Sequence, residues 1–400
     1  MFDKIKNYFP VFEKNKNLVF LDTAASALKP KKVIETISNS YAYEYANVHR
    51  GLYKLSSDIT KKYEDVRIKT SNYINSKSDE NIIFTKSATE AINLVVSCFS
   101  EKFLNKNDEV IISYLEHHAN IFPWHIAAKK IGFKVIAAEI TKEGTIDLDD
   151  LKNKINSKTK FISLTHMSNV TGAITDFNRV KELIFNKNIP LMIDGCQMIA
   201  HSSVNVEELN CDFYVYSGHK LYGPTGVGVL YMKDKWFDLF DPYQGGGSMI
   251  DRVNIENTTF ARGFQKFEAG TPPIVQVIGL GASYDFISNF DLRKVLRYEK
   301  DLYDYAFEKI RSFNDIKIIG HSEDKGGILT FVFEKIHSND VSMILDQHNI
   351  AIRSGHHCAQ PLLERFNINS TARASFGIYN DKKDIDSFIE ALKDTKKFFR

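Results

Sequence analysis

Cysteine is scarce in this chain of 400 residues: there are four, Cys98, Cys196, Cys211 and Cys358, and none forms a CxxC pair. Such spacing argues against a disulfide framework or a structural zinc site and makes a reducing cytosol the expected setting. No run of about 18 apolar residues appears, so no membrane span is expected. Met1 to Pro10 mixes charged and aromatic residues, without the apolar core and cleavage site of a signal peptide or any targeting segment. The formal net charge is only +2 and Lys and Arg are scattered, which gives no patch for gripping nucleic acid. Internal repeats and low-complexity linkers are missing too. What is present, 43% hydrophobic and 26% charged residues, is ordinary for a globular protein. A chain this long more readily builds two domains than one.

Between about residues 80 and 235 short apolar runs alternate with helical stretches. Ile82–Phe84, Val110–Ile112, Val135–Ala137, Phe161–Leu164, Leu191–Ile193, Phe213–Tyr216 and Gly226–Met232 read as strands. They are apolar throughout rather than alternating, as expected where helices cover both faces of a mainly parallel sheet. Ligands in such sheets sit beyond the carboxyl ends of the strands. After about residue 285 the order changes to a long charged helix from Asp291, a strand Ile328–Phe333, a helix near Asp340–His348, a short strand Ile350–Arg353 and a closing helix. The expectation is an α/β protein: a large domain, residues 20–280, with a mostly parallel seven-stranded sheet, and a smaller α+β domain from residues 1–19 and 281–400.

Lys220 lies at a strand-to-loop transition in Ser217-Gly218-His219-Lys220, before a loop with glycines and a proline. Such a loop lets backbone approach a ligand closely, and a lysine there can form a Schiff base with a pyridine-aldehyde cofactor. A carboxylate must keep the pyridine nitrogen protonated, and Asp194, at the end of a neighbouring strand, fits. Gln197 could reach the phenolic oxygen and His117 could stack on the ring. A phosphate is served by the helix start at Ser87-Ala88-Thr89, where free N–H groups and the dipole favour an anion, with Ser217 and His219 adding side-chain donors. A second centre is Arg353-Ser354-Gly355-His356-His357-Cys358, where a cysteine on a flexible polar loop near cations reads as a thiolate nucleophile. Arg373 offers a planar fork for a carboxylate, with Arg353 as a second anion contact. Taken singly these residues have plainer readings: helix cap, strand end, surface arginine.

Together the motifs resemble the aminotransferase class V branch of fold-type I pyridoxal-phosphate (PLP) transferases, and more closely the group II, Suf-type cysteine desulfurases and selenocysteine lyases. The resemblance rests on Leu21-Asp22-Thr23-Ala24-Ala25, Val48-His49-Arg50-Gly51, Ser87-Ala88-Thr89-Glu90, Glu116-His117-His118-Ala119-Asn120, the Lys220 motif and the Cys358 motif. It implies pyridoxal 5'-phosphate on Lys220, with Asp194 at the ring nitrogen, Asn169 and Gln197 at the phenolic oxygen and His117 on the ring. Ala88, Thr89, Ser217 and His219 then hold the phosphate, and Thr271 is similar to a phosphate contact supplied by a partner subunit, which implies a homodimer. Arg373, Arg353, Asn169 and His49 would contact the substrate, L-cysteine, with selenocysteine as an alternative. Cys358 would take the sulfur as a persulfide and pass it to a SufE- or SufU-type acceptor for iron–sulfur assembly, leaving alanine. Selenocysteine lyase and cysteine-sulfinate desulfinase activities are the alternatives on the same scaffold. The chain departs from the family pattern at Asp176 and Pro273, and at Cys196, where alanine is usual.

Overall fold

The computed structural model describes residues 4–399, so residues 1–3 and 400 of the expected smaller domain lie outside the described residues. Seven strands form the larger sheet: β1 (Ile82–Thr85), β2 (Glu109–Ser113), β3 (Lys134–Ala138), β4 (Thr159–Thr165), β5 (Leu191–Asp194), β6 (Phe213–Ser217) and β7 (Gly228–Met232). Their spatial order is β1-β7-β6-β5-β4-β2-β3. Strands β2 to β6 pair in parallel, while β7 is antiparallel to both β1 and β6. The reason is length: parallel return needs a crossover of roughly a dozen residues or more, and the segment from Gly218 to Val227 has no room for one. That short segment carries Lys220.

Alternate residues of each strand enter different cores, as the period-two geometry requires. Ile82, Phe84, Ile162, Leu164, Leu191, Ile193, Tyr214 and Tyr216 join one buried cluster. Ile83, Phe161, Met192, Phe213 and Val215 join the other, with the helix Ala88–Phe103. Both faces are therefore dry, which explains why these strands read as continuous apolar runs.

The smaller sheet contains β8 (Ile316–Ile318), β9 (Ile328–Phe333), β10 (Arg353–Gly355) and β11 (Thr371–Ser375), ordered β8-β9-β11-β10 and antiparallel throughout. Its core gathers Leu329, Phe331, Ala372 and Ala374 with Leu302, Leu345 and Phe388 from the flanking helices. The single strand expected over Ile350–Arg353 is corrected. Ile350–Ala351 pairs in parallel with Val19–Phe20, whereas Arg353–Gly355 pairs with β11. The chain changes partner at Ile352, whose side chain packs on the small core. That change of partner directs the segment ending at Cys358 toward the edge of the larger sheet.

Candidate active site

The carboxyl ends of β1, β2, β4, β5 and β6 open into one cavity, closed from the other side by residues following β10 and by β11. Its walls bring together Lys220, Asp194, His117, Cys358, Arg353 and Arg373, along with Ala88, Thr89, Asn169, Gln197, Ser217 and His219. Residues distant in sequence thus converge because parallel strands end on the same side.

Asp194 ends β5, and its Oδ1 accepts the Cys196 N–H at 3.0 Å. Lys220 follows β6 in the 3-10 turn Gly218–Lys220, and its Nζ makes no hydrogen bond to a described residue. Burial pulls its pKa down, with nearby Arg373 and Arg353 adding to the shift. A lysine held this way spends more time as the free amine, the nucleophilic form. His117 caps a short 3-10 turn, its Nδ1 accepting the Ala119 N–H at 3.1 Å. Burial, and then Lys220, holds its pKa down near 4, so the ring is neutral at ordinary pH.

At the helix start, Ser87 Oγ accepts the Glu90 N–H at 3.3 Å and Ser217 Oγ accepts the Ala88 N–H at 2.9 Å. His219 Nδ1 lies 3.2 Å from Ser26 Oγ, and burial lowers its pKa to about 4. Gln197 Nε2 donates to the Ala24 carbonyl at 2.9 Å.

Cys358 stands on a clamped turn, which corrects the expectation of a flexible loop. His357 and Cys358 both have left-handed backbones, φ 51° and 55°, a conformation that non-glycine residues hold only when their surroundings enforce it. Here Asn169 Nδ2 donates to the His357 carbonyl at 2.7 Å, and the His118 N–H donates to the Cys358 carbonyl at 2.7 Å. His118 Nε2 in turn accepts the Gln360 N–H at 3.1 Å. Arg373 is almost fully buried. It donates to the Asn169 carbonyl at 2.8 Å and to Asp22 at 3.2 Å, while its Nε has no partner.

Two expected residues are not brought to this cavity within one chain. His49 pairs with Glu64 at 2.8 Å and lines a separate cleft beside Glu268 and Gly270; Thr271 is exposed next to that cleft. Cys196, singled out in the sequence where alanine is usual, lines the cavity. Three further residues escaped the sequence reading as site residues. Asp22 anchors Arg373, and His357 lies beside Cys358 in the cavity wall. Glu116, fully buried beneath His117, accepts hydrogen bonds from Ser113, Asn120 and Thr165. Burial still pushes the Glu116 carboxyl up to about 8. Glu116 and His357 stood inside motifs already singled out; their only signal was adjacency to His117 and Cys358.

The donor set fits pyridoxal phosphate. An unpaired, half-buried amine, a carboxylate at a strand end, a neutral aromatic ring and a helix start with hydroxyl and imidazole donors share one cavity. The small side chains of Ala24, Ala25 and Ala88 in its wall leave room for a flat ring.

Comparison with known proteins gives the same direction. The aminotransferase class-V family model matches residues 19–388. A cysteine desulfurase of Wigglesworthia glossinidia brevipalpis is 41% identical over 404 residues, covering 99% of this chain and 98% of the relative. One from Escherichia coli O8 is 39% identical over 395 residues, covering 98% and 97%. The crystal structure of the Escherichia coli cysteine desulfurase CsdA, in its S-sulfonic acid form, superposes with a TM-score of 0.94 at 34% identity, covering 100% of this chain and 99% of that one.

Proposed function

Because the chain belongs to the aminotransferase class-V family, we propose that it is a PLP-dependent cysteine desulfurase that converts L-cysteine to L-alanine through a persulfide on Cys358. The observation that carries this reading is the meeting of Lys220, Asp194, Cys358 and Arg373 in one cavity, although they come from two different sheets.

Pyridoxal phosphate, when bound, supplies the electron sink that makes the substrate's Cα–H and Cβ–S bonds breakable. Lys220 Nζ would hold the cofactor as a Schiff base and, when free, would carry protons to and from the substrate carbons. Asp194 would keep the ring nitrogen protonated, and the neutral His117 imidazole would serve the ring face. Gln197 and Asn169 would serve the phenolic oxygen, while Ala88, Thr89, Ser217 and His219 would receive the phosphate. Arg373 and Arg353 bind the substrate carboxylate and so fix the Cβ–S bond relative to Cys358. The Cys358 thiolate attacks the substrate sulfur: an S–S bond forms, the Cβ–S bond breaks, and its electron pair remains with the carbon fragment that leaves as alanine.

The clamped turn cannot carry the persulfide far, which supports delivery to an approaching protein thiol of the SufE or SufU type, for iron–sulfur assembly in the cytoplasm. No helix among the described residues is long and apolar enough to cross a membrane. Dimerisation that would place a partner's Thr271 and His49 at the site is supported by large apolar side chains left exposed in the single chain, including Tyr43, Leu52 and Ile255. Residues 20–280 are then the cofactor-holding domain and residues 281–400, with 1–19, the domain that delivers Cys358.

The test is release of alanine and sulfide from L-cysteine, with PLP and a reductant, by wild type and Cys358→Ala. Loss of both products in a variant that keeps its PLP absorbance supports the reading. Undiminished turnover in Cys358→Ala sinks it and favours a lyase acting on selenocysteine or cysteine sulfinate.

A further inference from the structure

Lys29 is half-buried and is not itself part of the cavity wall, but its Nζ donates at 2.8 Å to the carbonyl of His219, which is. The ammonium also donates to the Ala27 carbonyl at 2.5 Å and, at 3.5 Å, to Ser26 Oγ. All three acceptors are neutral, and among the described residues no carboxylate pairs with it. Burial pulls its pKa down to about 8, so it stays charged at neutral pH. A cation drawn out of water without a counter-ion is unfavourable for folding, and an anion from outside the chain relieves it.

Burial holds the His219 ring neutral, with a pKa near 4, so it donates a hydrogen bond from only one of its two nitrogens. Which one is decided by Ser26. The Ser26 hydroxyl lies 3.2 Å from His219 Nδ1 and 3.5 Å from the His219 carbonyl, with a single hydrogen for the two. The carbonyl's two lone pairs already take the Lys29 ammonium and the Ala27 N–H, the latter at 3.2 Å. The hydrogen therefore goes to Nδ1, and the ring proton sits on Nε2. That nitrogen has no partner among the described residues and is not fully covered. It is a free donor on a residue of the cavity wall.

We propose that Lys29 is a positioning residue for the cofactor's phosphate: by occupying the His219 carbonyl it leaves the Ser26 hydrogen to His219 Nδ1 and keeps Nε2–H available to the anion. This rests on the PLP reading above. The ammonium's charge, uncompensated within the chain, favours an anion there as well. Without the ammonium, the carbonyl regains a free lone pair and competes for the Ser26 hydrogen. The ring then turns its own proton toward Ser26 Oγ and presents a bare Nε2 lone pair, which repels a phosphate.

The test titrates apoprotein with PLP and, separately, with pyridoxal, which lacks the phosphate, following the absorbance of the lysine-bound cofactor. It compares wild type with Lys29→Met, Lys29→Arg and Ser26→Ala. Loss of one hydrogen bond to a charged group predicts a PLP dissociation constant about tenfold higher or more in Lys29→Met, with that for pyridoxal close to wild type. Lys29→Arg keeps the charge and a donor for the carbonyl, and should restore most of the preference for PLP. A lysine that only braced the fold would give no such phosphate-specific rescue. Ser26→Ala removes the hydrogen aimed at Nδ1 and should narrow the same preference; it decides the matter where Lys29→Met fails to fold. Equal loss for both compounds, a Lys29→Arg as impaired as Lys29→Met, or an unchanged preference in Ser26→Ala overturns the proposal. Wild-type apoprotein that binds neither compound refutes the cofactor reading itself, a result separate from the behaviour of any variant.

Discussion

Replacing Gly228 with alanine tests whether the start of the Ala88–Phe103 helix is where a phosphate is held. Gly228 opens β7, opposite Thr85 of β1 and Ser217 of β6. A Cβ at this position stands 2.3 Å from Ser87 C, 2.6 Å from Ser87 Cα and 2.8 Å from Ala88 N. Contacting carbons rest at about 3.5–4.0 Å, so the overlap exceeds about 1 Å and falls on backbone, which cannot swing aside like a side chain. Overpacking of this kind costs about 1–3 kcal/mol. Relief requires moving Ser87 and Ala88, which breaks the Ala88 N–H to Ser217 Oγ bond at a further cost of about 1 kcal/mol. Part of that total appears as lower stability and part as weaker cofactor binding. Since 1.4 kcal/mol is tenfold in affinity, the dissociation constant for PLP is expected to rise about tenfold or more. The assay titrates apoprotein with PLP, and separately with pyridoxal, while following the absorbance of the lysine-bound cofactor. Damage confined to the phosphate end weakens PLP and spares pyridoxal, so the preference for the phosphorylated form narrows. Unchanged PLP affinity, or equal loss for both compounds, refutes the placement.

Three other outcomes are expected. Arg67→Met leaves Glu268, whose carboxylate takes both guanidinium contacts at 2.8 and 2.9 Å, buried without its partner; a loss of about 3–5 kcal/mol should be seen in denaturant unfolding, and a loss below about 1 kcal/mol contradicts it. His117, held near 4 against an ordinary 6.5, takes a proton more readily when unfolded. Its contribution to stability is therefore complete above pH 6.5 and lost as pH falls toward 4, so His117→Gln should flatten the stability profile across that window, and an unaltered slope counts against the assignment. Arg353→Met removes one of two facing guanidinium groups, and should raise the melting temperature while lowering kcat/KM for cysteine; movement of both in the same direction would falsify the idea that this pair is kept for a substrate anion.

The parts of this molecule legible in its sequence are those set by local rules. Apolar runs announced the seven strands because both faces of the sheet are dry, and Lys220, Asp194 and Thr89 announced themselves by lying just past strand ends. What was not legible depends on contacts between distant segments. Nothing local separates Ile350–Ala351 from Arg353–Gly355; the break exists because their partners, Val19–Phe20 and β11, lie in different sheets. The rigidity of Cys358 is likewise invisible in a polar, glycine-containing stretch, since the clamps come from Asn169 and the His118 backbone. Asp22 looked like part of a motif without a task until Arg373, far along the chain, was found to donate to it.

Arg353 and Arg373 are direct register partners across β10 and β11, and like charges directly opposite one another on a sheet are destabilising. Only part of that cost is met within the protein. Asp22 accepts from Arg373 at 3.2 Å, Arg353 has no ion-pair partner among the described residues, and burial together with Arg353 pulls the Arg373 pKa down to about 10. Asp22 is itself pushed up by burial despite both cations, so it is a reluctant counter-ion. A pair selected for folding alone would be replaced by an apolar residue or a second carboxylate. It makes sense if a further anion completes the set, and the carboxylate of the substrate is an anion of the right size in the right cavity. The free energy withheld from folding is then available to binding, and it acts at the atoms that fix the Cβ–S bond against Cys358. On the proposed function, the unmet charge and the clamped thiol are two halves of one device: the small sheet pays in stability to hold a nucleophile and an anion site at a fixed separation across from Lys220.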